Sequence, residues 1–148
     1  VEFDDLERRL RLTAGDMVGV GATSEVIEAA EARLAVRFHP SLRTYLARFG
    51  WMEVGHRELF GLGDGVPPHL EVVSLTISER TEVGAPLPGR LVPIFNDGGG
   101  NLYCVVCDAG APDDGAIVFW DHDPPGHADP VIVARDLVIW LNELLDDT

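Results

Sequence analysis

The sequence predicts an α+β domain: a central, mostly antiparallel sheet of about five to six strands with helices packed against it. Three observations carry that expectation. Apolar residues recur at helical spacing before Gly50 and again after Ala134. Between these blocks, short apolar runs are separated by Gly, Pro and Asp clusters, the texture of strands and turns. Helices first, strands next and a helix last is an α+β order, not the alternation of a parallel sheet. A length of 148 residues suits one domain spanning 1–148.

The elements follow in order. Phe3, Leu6 and Leu10 predict an amphipathic helix over 3–13. Residues 14–22 are Gly-rich and read as a loop. Thr23 or Ser24 caps a second helix whose buried face is Val26, Ile27, Ala30 and Leu34, with Glu25 and Glu28 near its positive end. Pro40 breaks the chain and Ser41 starts a third helix, with Leu42, Tyr45, Leu46 and Phe49 on one face and Gly50 as its stop. Residues 51–54 and 58–62 read as a hairpin, and 63–68 as a loop. In 71–83, Val73, Leu75 and Ile77 alternate, which predicts a strand end followed by a short helix. Strands are expected at 91–95, 102–107 and 116–121. The last two are apolar at successive positions, so both faces of the sheet are covered there. Leu137, Trp140, Leu141 and Leu144 predict a terminal helix over 135–146.

Charge narrows the function. The chain holds 25 acidic residues against 11 basic ones, all arginine, for a net charge of −14. Residues 91–148 carry 11 of the acids and only Arg135. Nucleic acids and anionic membranes are poor partners for such a surface, because binding phosphate requires Lys and Arg. A basic protein partner suits it, and the acidic half would steer the encounter. Solubility alone is the competing explanation. No apolar run approaches the roughly 20 residues of a membrane helix. The opening VEFDDLERRL has no apolar core of a signal peptide, so the expected location is cytoplasmic.

Several segments imitate chemistry. Cys104 and Cys107 form a C-x-x-C, but inside a strand, where residues three apart face opposite ways. No second pair completes a zinc site, so both read as core cysteines. Asn96 to Asn101 contains a triple glycine but lacks the following helix and Lys of a phosphate loop; it reads as a hairpin turn with positive φ. Asp121, His122, Asp123, His127 and Asp129 form the best metal candidate. Pro125 occupies the third calcium-ligand position, and the segment reads instead as an acidic, solvated turn. The five histidines have no nucleophile elbow, and no nucleophile, base and orienting group assemble. The sequence therefore assigns no catalytic residues, no cofactor and no metal.

The order of these signals resembles the SUKH superfamily, in its SMI/KNR-type branch, from about Ser24 to Leu145. The resemblance rests on SEVIEAAEARL, with Ile27, Glu28, Glu31 and Leu34, then VRFHPSLRTYLARFG, VVSLTISER, NDGGGNLYC, FWDHD and ARDLVIWLNELL. It departs at Phe38-His39-Pro40, where the family often has Leu-Pro. The helix before Gly15 carries no part of it. The resemblance implies a non-enzymatic binding module. Its bacterial members are immunity proteins that bind a cognate toxin, often a nuclease, and its fungal relatives regulate cell-wall assembly.

The expectation is thus a cytoplasmic immunity protein that occludes a cognate, basic toxin domain. The alternatives are an intracellular scaffold or regulator, and more remotely a small metalloenzyme on Asp121, His122 and His127. Partner-binding candidates are the turn acids Asp97, Asp113, Asp114, Asp121 and Asp123; Trp51, Trp120 and Trp140 read first as core residues, with Trp51 and Trp120 as aromatic anchors the alternative. The sequence carries no signal for oligomeric state.

Overall fold

A computed structural model describes residues 2–13, 18–82, 84–121 and 130–147. Helix α1 (Glu2–Thr13) buries Leu6 and Leu10. Arg9 crosses from it to the C-terminal helix, donating to the Asn142 carbonyl at 3.2 Å and to its Oδ1 at 3.0 Å. Helix α2 (Ser24–Leu34) is capped by Thr23, whose hydroxyl accepts from the Val26 N–H at 3.3 Å. Ile27, Ala30 and Leu34 are buried as expected, but Val26 lies on the outer side and is 40% exposed.

Pro40 begins helix α3 (Pro40–Arg48) instead of preceding it. The first turn has no use for the missing N–H, and the fixed φ suits it. His39 is the cap, its Nδ1 accepting from the Ser41 N–H at 3.1 Å. Gly50 follows the helix at φ 74°, the left-handed conformation that a stop requires.

The sheet has six strands in sequence order, every neighbour antiparallel. They are β1 (Met52–Val54), β2 (Arg57–Leu59), β3 (Leu91–Asn96), β4 (Leu102–Val106), β5 (Ile117–Trp120) and β6 (Val131–Ala134). The α+β class and the strand number match the expectation, but the sixth strand is not where the sequence put it. Residues 72–80 form helix α4 (Val72–Arg80) with no strand portion. Glu71 caps it, accepting from the Val73 and Ser74 N–H groups at 2.9 and 3.0 Å. Val72, Val73 and Thr76 are its buried face, a helical i, i+1, i+4 set, so the Val73–Leu75–Ile77 alternation misled. The sixth strand is instead Val131–Ala134. Helix α5 (Leu137–Asp146) ends the fold, with Asp136 capping at 2.9 Å from the Ile139 N–H.

Cys104, Val105 and Val106 are all buried, which requires cover on both faces of the sheet. Helix α4 packs along β3, and α5 contacts β6, α1 and α3. One cross-strand row traverses the whole sheet: Met52, Leu59, Phe95, Tyr103, Phe119 and Val131 are successive partners. Directly paired residues share a face. Trp140 of α5 sits over this row, with ring centroids 6.2 Å from Phe95 and 5.7 Å from Tyr103. The row runs from full burial at Met52 to 61% exposure at Val131.

Candidate protein-binding surface

The pairing of strands sorts the candidate acids into two groups. Asn96 opposes Leu102, and Leu102 opposes Trp120. Asp97 and Asp121 therefore emerge at the same end of the sheet. Asp97 lies in the β3–β4 turn, where its Oδ1 accepts from the Gly99 N–H at 2.8 Å. Gly98 and Gly100 take φ of 94° and 91°, the turn geometry that the sequence implied. A polar recess of about 410 Å³ adjoins Asp97, with His56, Glu58 and His69 around it. His69 and Glu58 pair across 2.9 Å at its surface.

Asp113 and Asp114 lie in the β4–β5 turn, at the opposite end. Both have structural partners. Asp113 takes the Arg90 guanidinium at 2.5 Å, with Asp108 on the same arginine at 3.0 Å. Asp114 accepts from the Asp108 N–H at 2.9 Å. The five turn acids thus do not form one patch. Asp123 and the remainder of the metal candidate after Asp121, including His122, His127 and Asp129, lie outside the described residues. Among the described residues, no three His, Cys, Asp or Glu side chains converge as metal ligands would.

The tryptophans separate as well. Trp120 is 4% exposed and belongs to the core. Trp51 is half-buried beside β1, with its indole N–H unbonded. Gly19 passes so close that a Cβ there would sit 2.6 Å from the Trp51 ring. Neither offers a broad aromatic surface. That role falls to residues the sequence reading passed over, the half-buried Phe95, Tyr103 and Phe119. Tyr103 and Phe119 meet edge to face at 5.2 Å. Their spacing within strands was visible, but their alignment into one row depends on register, which one sequence does not display.

The cysteines have no nucleophilic character. Both are buried and unbridged. Burial pushes the Cys107 thiol up to about 12, and raises Cys104 further. Cys107 Sγ also accepts from the His39 N–H at 3.4 Å, which ties the start of α3 to the end of β4.

Residues 4–146 match the family profile SUKH_5, described as SMI1-KNR4 cell-wall. The chain belongs to this SMI1-KNR4 family. The match includes α1, which the sequence motifs had left outside. A crystal structure of a protein from Pseudomonas syringae pv. tomato is similar, with a TM-score of 0.64 and 18% identity over 80% of this chain and 83% of that one. At that identity the likeness bears on the fold alone. No curated protein matches the chain. SMI1-KNR4 membership supports a non-enzymatic immunity or regulatory role through protein–protein contact, at the level of the family. No helix among the described residues is long and apolar enough to cross a membrane.

Proposed function

We propose that this chain is an immunity protein, which neutralises a cognate toxin domain in the cytoplasm of the producing cell by binding it directly. One observation carries the reading: a scaffold from a family of binding proteins has a second half with 11 acids and a single arginine. That imbalance suits a basic partner such as a nuclease, whose own function demands positive charge. Asp97 and Asp121, at one end of the sheet, steer the encounter, while apolar and aromatic surface supplies the residence time. Asp113 and Asp114, at the opposite end of the sheet, and Asp123 are secondary candidates.

The family description mentions the cell wall, which favours a second reading as an intracellular regulator. Co-expression separates the two. A toxin-like domain encoded beside this gene, which the immunity reading requires, is expressed in a heterologous host with and without the chain. Survival only in its presence is the expected result. Equal killing in both cultures would exclude the immunity reading.

A further inference from the structure

We propose that β6 is the docking edge of this protein: an extended, lysine- or arginine-rich segment of its partner adds to the sheet there as a seventh strand. The inference rests on the reading of the chain as a binder of a basic protein.

The two edges of the sheet are treated differently. At the β1 edge, Val18 bridges to Met52, and the Gly19 N–H donates to the Trp51 carbonyl at 2.8 Å. At the other edge β6 pairs with β5, and no strand among the described residues lies beyond it. Its outward residues are Val131, Ile132 and Val133, exposed at 61%, 55% and 40%. Three consecutive β-branched apolar residues on an open edge, with no charge among them, are what folded proteins ordinarily avoid. The same row of backbone groups is the template that strand addition uses.

A groove of about 280 Å³ lies beside this edge, lined by Val133, Tyr103, Phe95 and Trp140. It can take an apolar side chain from an added strand against aromatic faces. Glu143 and Asp147 stand at the groove, with Arg57 as the one cation. Asp97 and Asp121, two positions beyond the row residues Phe95 and Phe119, add acidic charge at one end of the sheet. This charge selects the occupant. A second copy of the chain would bring a net −14 against −14 and set Glu143 and Asp147 near their own images. A strand that carries an apolar and a basic side chain at alternate positions of one face places the first on the groove and the second against Glu143 and Asp147.

The probe is a short lysine peptide with valine and lysine at successive same-face positions and threonine between them, and a glutamate peptide with glutamate in place of lysine is the control. Amide hydrogen exchange and chemical shifts of the intact protein are followed by NMR. The lysine peptide is expected to slow exchange and shift resonances at Val131, Ile132 and Val133, and the glutamate peptide to leave them unchanged. Ile132→Lys, at an exposed position, is expected to weaken the lysine peptide by about tenfold or more. Ile132→Thr keeps the β-branched shape and the backbone edge, and retains binding. The proposal is overturned if the lysine peptide leaves the β6 amides untouched or if the glutamate peptide binds as well. It is equally overturned if the free protein is a dimer with those amides already protected. The toxin co-expression assay then separates this from the parent reading. Wild type and Ile132→Lys protecting equally would sink the edge and leave immunity standing; neither protecting would remove immunity itself.

Discussion

Tyr45 joins two parts of the chain with one atom. It is fully buried on α3, and its hydroxyl donates to the Phe60 carbonyl at 3.0 Å, just past β2. Tyr45→Phe keeps the ring but leaves that carbonyl unpaired, and is expected to cost about 1–2 kcal/mol in urea unfolding. Glu31 binds α2 to the approach of α3: it accepts the Phe38 N–H at 2.7 Å and the Arg43 guanidinium. Burial pushes its carboxyl up, but those donors outweigh burial and hold it below its ordinary value. A lowered carboxylate stabilises the fold above its unfolded pKa and loses that contribution as pH falls through the folded one. Glu31→Gln should therefore be most damaging near neutral pH. Its deficit in unfolding midpoint should shrink below about pH 4, within the carboxylate range. The cysteines test the opposite kind of residue, buried and inert. Replacing Cys104 and Cys107 with Ser puts hydroxyls in apolar surroundings, at a cost of about 1–3 kcal/mol each in thermal or urea melts. Partner binding by the folded double variant is expected to persist; its loss would assign the thiols a role.

At the scale of elements, most segments were legible, short β1, β2 and β5 included, and residues 71–80 and 131–134 were not. The terminal helices and β3, β4 and β5 fell near their predicted bounds because burial imposes a clear period on them. Residues 71–80 carry apolar side chains at both strand and helix spacings, and the cap at Glu71 decided for helix. Val131–Ala134 has four residues, with an irregular register against Val118, and offers too short a pattern to separate from the helix after it. Its exposed apolar residues were hidden for the same reason. Among the candidate site residues, Asp97 and Asp121 share one end, which the pairing of β3, β4 and β5 shows and the sequence reading did not separate. The burial of Trp120 agrees with the core reading of the tryptophans, whereas the commitment of Asp113 to Arg90 depends on packing that local sequence does not encode. Caps are the sharpest element-level test. Asp136→Ala removes the acceptor for the Ile139 N–H at the start of α5, and should lower stability by about 1 kcal/mol without changing the circular dichroism of the folded state. Since α5 carries Trp140 over the aromatic row, near-ultraviolet signals should report its loosening first.

The whole molecule is dominated by its charge. A net −14 on 148 residues repels itself in the compact state. Moderate sodium chloride should therefore raise the melting temperature, because screening weakens the repulsion over about 10 Å at 0.1 M. A falling melting temperature would mean that ion pairs such as Arg48 with Asp4 and Glu7 outweigh it. The same field would draw in the basic partner proposed above, so charge reversal at Asp97 and Asp121 should slow association and flatten its salt dependence. Unchanged kinetics would place the contact elsewhere. The central claim is that the protein acts by occupying its partner rather than by chemistry on it. Titrating the activity of the proposed partner toxin with purified protein tests this most directly. The account predicts inhibition that grows linearly and is complete at one molar equivalent, and that is released when the complex is dissociated by salt. Complete, irreversible inactivation by a small fraction of an equivalent would contradict it and make the protein an enzyme.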